Sequence, residues 1–281
     1  MKVYYINLDR SPERRAWFTQ QAEALGLDLV RVPAVDGREL PAAELEGWRQ
    51  LSEGNKILSR GEIGCFLSHR KAWETVLAAQ EKWAFIAEDD IHFSRNAAAF
   101  LCDDSWILAQ AGLIKAETDL RRHEFSPTSW PTPFGHERRR LKSNHLGTGG
   151  YFLTREAAAR MLTFTERKCE AIDGLLFATR YMQEHQLEVL QIIPAICIQD
   201  VYVDEHLETS TLASVIDRER GEGRKVVKRT ITHSAKVQRE MRRIISQLSN
   251  FFARVYGSLT RKSVFTVVDF AVPDRSISEQ R

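Results

Sequence analysis

The chain has 281 residues, 43% of them hydrophobic and 28% charged, which supports a sizeable core and excludes a disordered or fibrous class. Its four cysteines form no CxxC pair, which argues against a cysteine zinc site or a disulfide framework and fits a reducing, cytoplasmic setting. The formal net charge of +2 is unevenly spread: thirteen Lys and Arg stand against four Asp and Glu between residues 217 and 262, so the remainder is acidic. That acidic body excludes the continuous positive surface of a nucleic-acid binder. The opening MKVYYINLD has no apolar h-region and reads as no signal peptide, and no apolar run approaches the ~20 residues of a membrane span.

Residues 2–8, KVYYINL, are rich in β-formers and predict an opening strand. Ser11 as N-cap and Pro12 at the first helical position start a helix that runs to about Leu25, with Gly26 as its stop. Residues 27–35 predict a second strand and Asp36-Gly37 a turn. Strand, helix and strand in this order point to an α/β fold with a mainly parallel sheet flanked by helices.

Residues 38–58 read as short helix and loop. Ser59 and Glu62 have the spacing of a capping box, and Ile63, Phe66, Leu67, Trp73, Val76 and Leu77 form the buried stripe of the helix that follows. Gly61 and Gly64 suit a close approach to another backbone. Residues 83–93, WAFIAEDDIHF, are a short apolar run ending in Glu88, Asp89 and Asp90. Three adjacent carboxylates at a buried strand end repel one another and call for a positive partner, of which a hard divalent cation is the simplest. An acidic loop that caps a helix is the plainer alternative.

A helix from about Asn96 and a strand at 112–117 come next. Residues 118–143 hold three prolines and several arginines and predict a long loop able to act as a lid. Gly147, Gly149 and Gly150 form a turn into a strand at Tyr151–Leu153, and Thr154 caps another helix. Residues 170–183 are helical after Asp173, and residues 187–199 give the last clear strand. The chain divides into a body at 1–212 and a basic linker, amphipathic helix and tail at 213–281. In that helix Val237, Met241, Ile244, Leu248, Phe251 and Val255 make one apolar seam, suited to an anionic membrane surface, self-association or packing on the body.

Five stretches, YYINLDRSPERR, VPAVDG, LSRGEIGCFLSH, FIAEDDI and GTGGYFLTREAAARML, together resemble glycosyltransferase family 25 over roughly residues 2–200. The resemblance implies a GT-A-like fold, a UDP-sugar donor, Mn²⁺ (or Mg²⁺) as cofactor and inversion at the anomeric carbon. It also implies transfer of a hexose such as galactose to a glycan or lipid-linked acceptor such as lipooligosaccharide. A catalytically inactive sugar-nucleotide binder or scaffold of a glycan-assembly complex is the alternative, and the seat would be cytoplasmic or peripheral on the inner membrane face.

On that resemblance Asp90 is the expected metal ligand, with Glu88 beside it as second ligand or ribose partner and Asp89 contributing. Asn7, Arg10, Arg14 and Arg15 fall on the family's pattern after the first strand and are expected at the nucleotide or its diphosphate. Gly149 would let the sugar or phosphate approach the backbone. Asp173 is the candidate general base, with a helix N-cap as its competing role. Glu62 has a capping role, His69 reads as a core or supporting histidine, and Gln199 and Asp200 close a strand that faces the site.

Overall fold

The computed structural model describes residues 1–53, 57–203 and 262–271. The expected amphipathic helix at 234–259 lies outside the described residues. Among the described residues, twelve strands form two sheets. The large one contains β1 (Lys2–Asn7), β2 (Asp28–Pro33), β3 (Trp83–Glu88), β5 (Leu113–Lys115), β7 (Arg122–Pro131), β8 (Glu137–Leu141), β9 (Gly150–Thr154), β10 (Val189–Ile193) and β12 (Val264–Val267). Their order is β12-β7-β8-β10-β5-β9-β3-β1-β2. The small sheet is β4 (Ile91–Phe93), β11 (Cys197–Gln199) and β6 (Glu117–Thr118), in the order β4-β11-β6.

The expected α/β class holds, and the large sheet is mixed. β1 pairs parallel with β2 and β3, and β5 with β10; β9 is inserted antiparallel between β3 and β5. Alternation along the central strands feeds two cores. Tyr4, Ile6, Ala84 and Ile86 point to one face; Val3, Tyr5, Phe85 and Ala87 point to the other. The first face is covered by α3 (Arg60–Ala78), α5 (Arg155–Thr165), α6 (Ile172–Phe177) and α7 (Thr179–His185), and the second by α1 (Pro12–Ala24) and α4 (Ala97–Cys102). Among these, α3 begins with both capping-box bonds: Glu62 N–H donates to Ser59 Oγ at 3.1 Å, and Ser59 N–H to Glu62 Oε2 at 2.9 Å. A Cβ at Gly64 would sit 2.7 Å from the Val35 carbonyl oxygen and 2.8 Å from Gly37 N, so this helix crosses the chain after β2 at backbone contact.

Two expectations are corrected. Residues 118–143 are not a free loop: β7 and β8 form an antiparallel hairpin that extends the sheet. Pro127 disguises it. The proline lies within a register shift between Phe125 and Ser129, where the irregular pairing tolerates a residue without an N–H. Secondly, part of the expected tail is sheet. β12 pairs antiparallel with β7, from Val264 opposite Phe125 to Val267 opposite Arg122, and Val268 is fully buried.

Candidate active site

Three strand ends meet at one place. Glu88 ends β3, Gly150 begins β9 and Gln199 ends β11. Because β9 runs against β3, the Gly-rich turn before it lies beside the acidic strand end, and Glu88 N–H donates to the Gly149 carbonyl at 3.0 Å. Asp89 and Asp90 occupy the turn into β4, which pairs with β11 and so brings Gln199 over the trio.

The carboxylates have different partners. Asp89 accepts from Asn7 Nδ2 at 2.7 Å and lies 2.8 Å from the Arg14 guanidinium. Arg14 also reaches Asp90 at 2.7 Å. Part of the positive charge that the trio demands is therefore supplied by the protein, and the three carboxylates hold the Arg14 pKa up against its burial. Glu88 accepts from Thr148 Oγ1 and from Gln199 Nε2 at 3.1 Å, and faces His69 Nε2 at 3.3 Å. His69 Nδ1 in turn lies 2.9 Å from the Tyr151 hydroxyl, which accepts from Trp73 Nε1 at 2.9 Å. Donors thus run in one direction, Trp73 to Tyr151 to His69 to Glu88, and fix that carboxylate.

Burial pushes Glu88 up, but the hydrogen bonds from His69 and Thr148 and the charge of Arg14 outweigh it, so Glu88 stays below the usual range. Asp90 has weaker support, with Gln199 Nε2 3.5 Å away. Burial, opposed by Arg14 but reinforced by the charges of Glu88 and Asp89, pushes it up to about 7.

Two cavities share Cys65, Glu88 and Asp90. The smaller, about 100 Å³, is lined also by Arg10, Arg14, Asp36 and Gly37. The larger, about 800 Å³, is lined also by Thr148, Asp173, Gln199, His123 and Phe265. Of the nucleotide residues expected from the sequence, Arg10 and Arg14 reach the smaller cavity. Arg10 is ion-paired with Asp36 there. Asn7 is buried and braces Asp89; Arg15 is exposed and lines neither cavity. Asp89 lines neither cavity and acts through Asn7 and Arg14. Gly149 is packed from behind: a Cβ there would meet Glu117 Oε2 at 2.6 Å and Gln199 Cγ at 2.7 Å.

Asp173 sits on the wall of the larger cavity. It lies in the first turn of α6, whose N-cap residue is Ala171, and it accepts from Gly174 N at 2.7 Å and Gly147 N at 3.4 Å. Asp200 pairs with His92 at 2.8 Å.

Sequence reasoning missed Thr148, hidden in a turn read for its glycines. It also missed Lys115 and Glu117, two strand residues apart in GLIKAET, which form a buried ion pair at 2.6 Å. Lys115 Nζ donates to the Gly147 carbonyl at 2.6 Å and lies over the Phe177 ring, so the pair pins the turn that carries Thr148. Burial, only partly offset by Lys115, raises Glu117 to about 7.

Known proteins place this geometry in a family. The family model described as "Glycosyltransferase family 25 (LPS biosynthesis protein)" matches residues 1–176. The chain belongs to glycosyltransferase family 25. It is 27% identical over 242 residues to the lacto-N-neotetraose biosynthesis glycosyltransferase LgtE of Neisseria gonorrhoeae, covering 80% of this chain and 84% of that protein. It is 29% identical over 187 residues to the lipooligosaccharide biosynthesis protein lex-1 of Haemophilus influenzae, covering 63% of this chain and 61% of that protein. Among solved structures, a glycosyltransferase involved in glycosylation of the major capsid of PBCV-1 aligns with a TM-score of 0.40 at 10% identity, over 79% of this chain and 98% of that one; a likeness that distant adds nothing to the family assignment. As a family 25 member the protein is a glycosyltransferase. The matched span contains Glu88, Asp90, Thr148 and Asp173, and ends before β10, β11 and β12. No helix among the described residues is long and apolar enough to cross a membrane.

Proposed function

We propose that this family 25 enzyme transfers a hexose, with galactose as first candidate, from a UDP-sugar to a hydroxyl of a glycan or lipid-linked acceptor such as lipooligosaccharide. The reading includes a GT-A-like arrangement and inversion at the anomeric carbon. The observation that carries it is the position of Glu88 and Asp90, which line both cavities at once. A donor whose phosphates lie beside Arg10 and Arg14 at the smaller cavity, which is too small for a whole nucleotide, would present its sugar–phosphate bond at these carboxylates, and the larger cavity would receive the acceptor with the rest of the donor.

The residues fit a hard divalent cation. Asp90 is a buried oxygen donor whose charge is poorly compensated, with one guanidinium shared between it and Asp89. Mn²⁺ or Mg²⁺ would be held by Asp90 with help from Glu88, and would neutralise charge on the departing diphosphate. The chain's own residues do the rest. Arg14 supplies a fixed positive charge at the same place, while the Trp73–Tyr151–His69 series and Thr148 hold Glu88 in one orientation. Asp173, held by two backbone N–H groups on the wall of the larger cavity, takes the proton from the acceptor hydroxyl as general base. A seat at the cytoplasmic membrane face, or self-association through residues 234–259, belongs to the same proposal on the strength of the sequence pattern; co-sedimentation with anionic vesicles separates the two.

A panel of UDP-sugars, read as UDP release with and without Mn²⁺ and with lipooligosaccharide acceptors, tests the reading. One donor should be turned over and chelator should abolish the reaction. Calorimetric binding of UDP without turnover on any acceptor would instead identify an inactive sugar-nucleotide binder. If no UDP-sugar binds, the reading fails.

A further inference from the structure

Asp119 and His123 line the larger cavity, and His145 is buried beside them. Their donor atoms all lie within 4.8 Å of one another. Asp119 follows β6, His123 is in β7, and His145 lies in the segment leading to the Gly-rich turn. All three are buried, and His145 completely so.

The hydrogen bonding at this cluster does not close on its own. His123 Nδ1 lies 3.0 Å from the Asn144 carbonyl, which can only accept, so Nδ1 carries a proton. His123 Nε2 then faces Asp119 Oδ1 at 2.8 Å, a second acceptor. In a neutral imidazole Nε2 would be a lone pair pointed at a carboxylate, so this contact requires a further positive charge. His145 Nε2 lies 3.5 Å from the same oxygen. Neither ring nitrogen of His145 makes a hydrogen bond of ordinary geometry; the Gln191 side chain, whose buried Oε1 is also left without one, is a further polar neighbour of the ring. A buried imidazole without a well-formed hydrogen bond, near an oxygen that a second imidazole already faces, has a ring nitrogen free to ligate.

We propose that Asp119, His123 and His145 bind a divalent transition metal ion, with Zn²⁺ as its best-suited occupant, at a site separate from the Glu88–Asp90 carboxylates. Two imidazoles and one carboxylate are borderline donors that favour zinc over Mn²⁺ or Mg²⁺. The Asn144 carbonyl on His123 Nδ1 is the outer partner that zinc-bound histidines commonly have. Ligand atoms around tetrahedral zinc lie about 3.3 Å apart, so the 2.8 and 3.5 Å separations need adjustments of only a few tenths of an ångström. The rings themselves must splay, since they now stack with centroids 3.8 Å apart. Asp119 and His123 line the larger cavity, so a remaining coordination position would be reachable from it. The absence of CxxC pairs does not bear on such a site, because none of its ligands is a cysteine. The ion would fasten the β6–β7 junction to the segment that carries Gly147 and Thr148, which bond to Asp173 and Glu88.

The test uses the full chain, stripped with chelator and titrated with Zn²⁺ against a chromophoric competitor. Wild type should take up one tight equivalent. Asp90→Asn should retain it, whereas Asp119→Asn and His145→Ala should lose it, weakening binding by more than the roughly 10–100-fold that loss of an outer-shell partner costs. Circular dichroism and melting curves of the metal-free variants show whether each is folded. X-ray absorption of zinc-loaded wild type provides a readout that does not depend on any variant folding, and should show two imidazole ligands. No tight zinc in wild type, a signature lacking imidazoles, or zinc lost from Asp90→Asn but kept by Asp119→Asn would overturn the proposal; the first outcome would leave an imidazolium–carboxylate pair. None of these readouts depends on turnover, so failure of the proposed glycosyl transfer would not be mistaken for failure of this site.

Discussion

At one end of the large sheet β2, β1 and β3 run parallel, joined by α1 and by the segment containing α3; at the other β10, β8, β7 and β12 run antiparallel, with a hairpin and a strand from the C-terminal region. The first end holds Asn7, Arg14, Glu88 and Asp90 and the smaller cavity. The second supplies His123, Lys142 and Phe265 to the larger cavity. One end is built almost wholly from the first ninety residues, within the family match; the other is finished by β12, far beyond it. The wall assigned to the acceptor can therefore be rebuilt through a hairpin and one added strand while the carboxylate end keeps its frame. That division suits a scaffold whose reacting groups are rigid and whose specificity lies on its rim.

Changes at each end should have different signatures. The largest effect is expected from Asp90→Asn, which should lower turnover by roughly 10²–10³-fold, the range for losing one preorganised electrostatic contact at developing charge. Initial-rate measurements at saturating donor and Mn²⁺ check it; near-normal turnover would remove Asp90 from the chemistry. Deleting residues 262–281 should act at the other end. It strips the buried Val268 and the cavity residue Phe265, and should cost about 2–3 kcal/mol from the loss of one buried side chain. Denaturant melts should show that loss, and the KM for acceptor should rise more than that for donor. Equal effects on both KM values would break the division between the two ends.

The smallest effect is one of pH. Asp90 titrates near 7 in the fold against an ordinary 3.8, so the folded chain binds more protons than the unfolded chain between those values. Stability contributed by this group therefore falls as pH rises from about 4 through 7. In chelator, Asp90→Asn should melt above wild type at pH 8, by on the order of 3 °C for each kcal/mol relieved. The gap should close near pH 4. Scanning calorimetry across that range decides it, and a gap independent of pH would assign the effect to packing.

What the sequence made legible follows the same division. The β1–α1–β2 opening, the capping box at Ser59 and Glu62, and the acidic end of β3 are local patterns, each complete within a short span. Asp89 and Asp90 lie in a turn beyond the strand, so strand alternation does not decide which carboxylate faces the cavities. Asn7 and Arg15 were harder: their place in the motif could not distinguish a brace for Asp89 or an exposed arginine from a nucleotide contact. β7 and β8 were hidden because Pro127 and a run of arginines resemble loop chemistry until the register shift and two neighbouring strands are known. Lys115 and Glu117 stand at the i,i+2 spacing that puts two side chains on one face of an extended segment, and Asp119 and His123 are four apart, but no local pattern shows that these groups are buried or that His145 joins the second set.

The return of the chain at β12 has one more consequence. Val201, Tyr202 and Phe265 line the same cavity. Phe265 reaches it because β12 pairs with β7, a contact between strands far apart in the sequence. Closing that contact costs loop entropy that rises only with the logarithm of the chain length between the strands, so the length of the connecting segment can change at little cost to this wall.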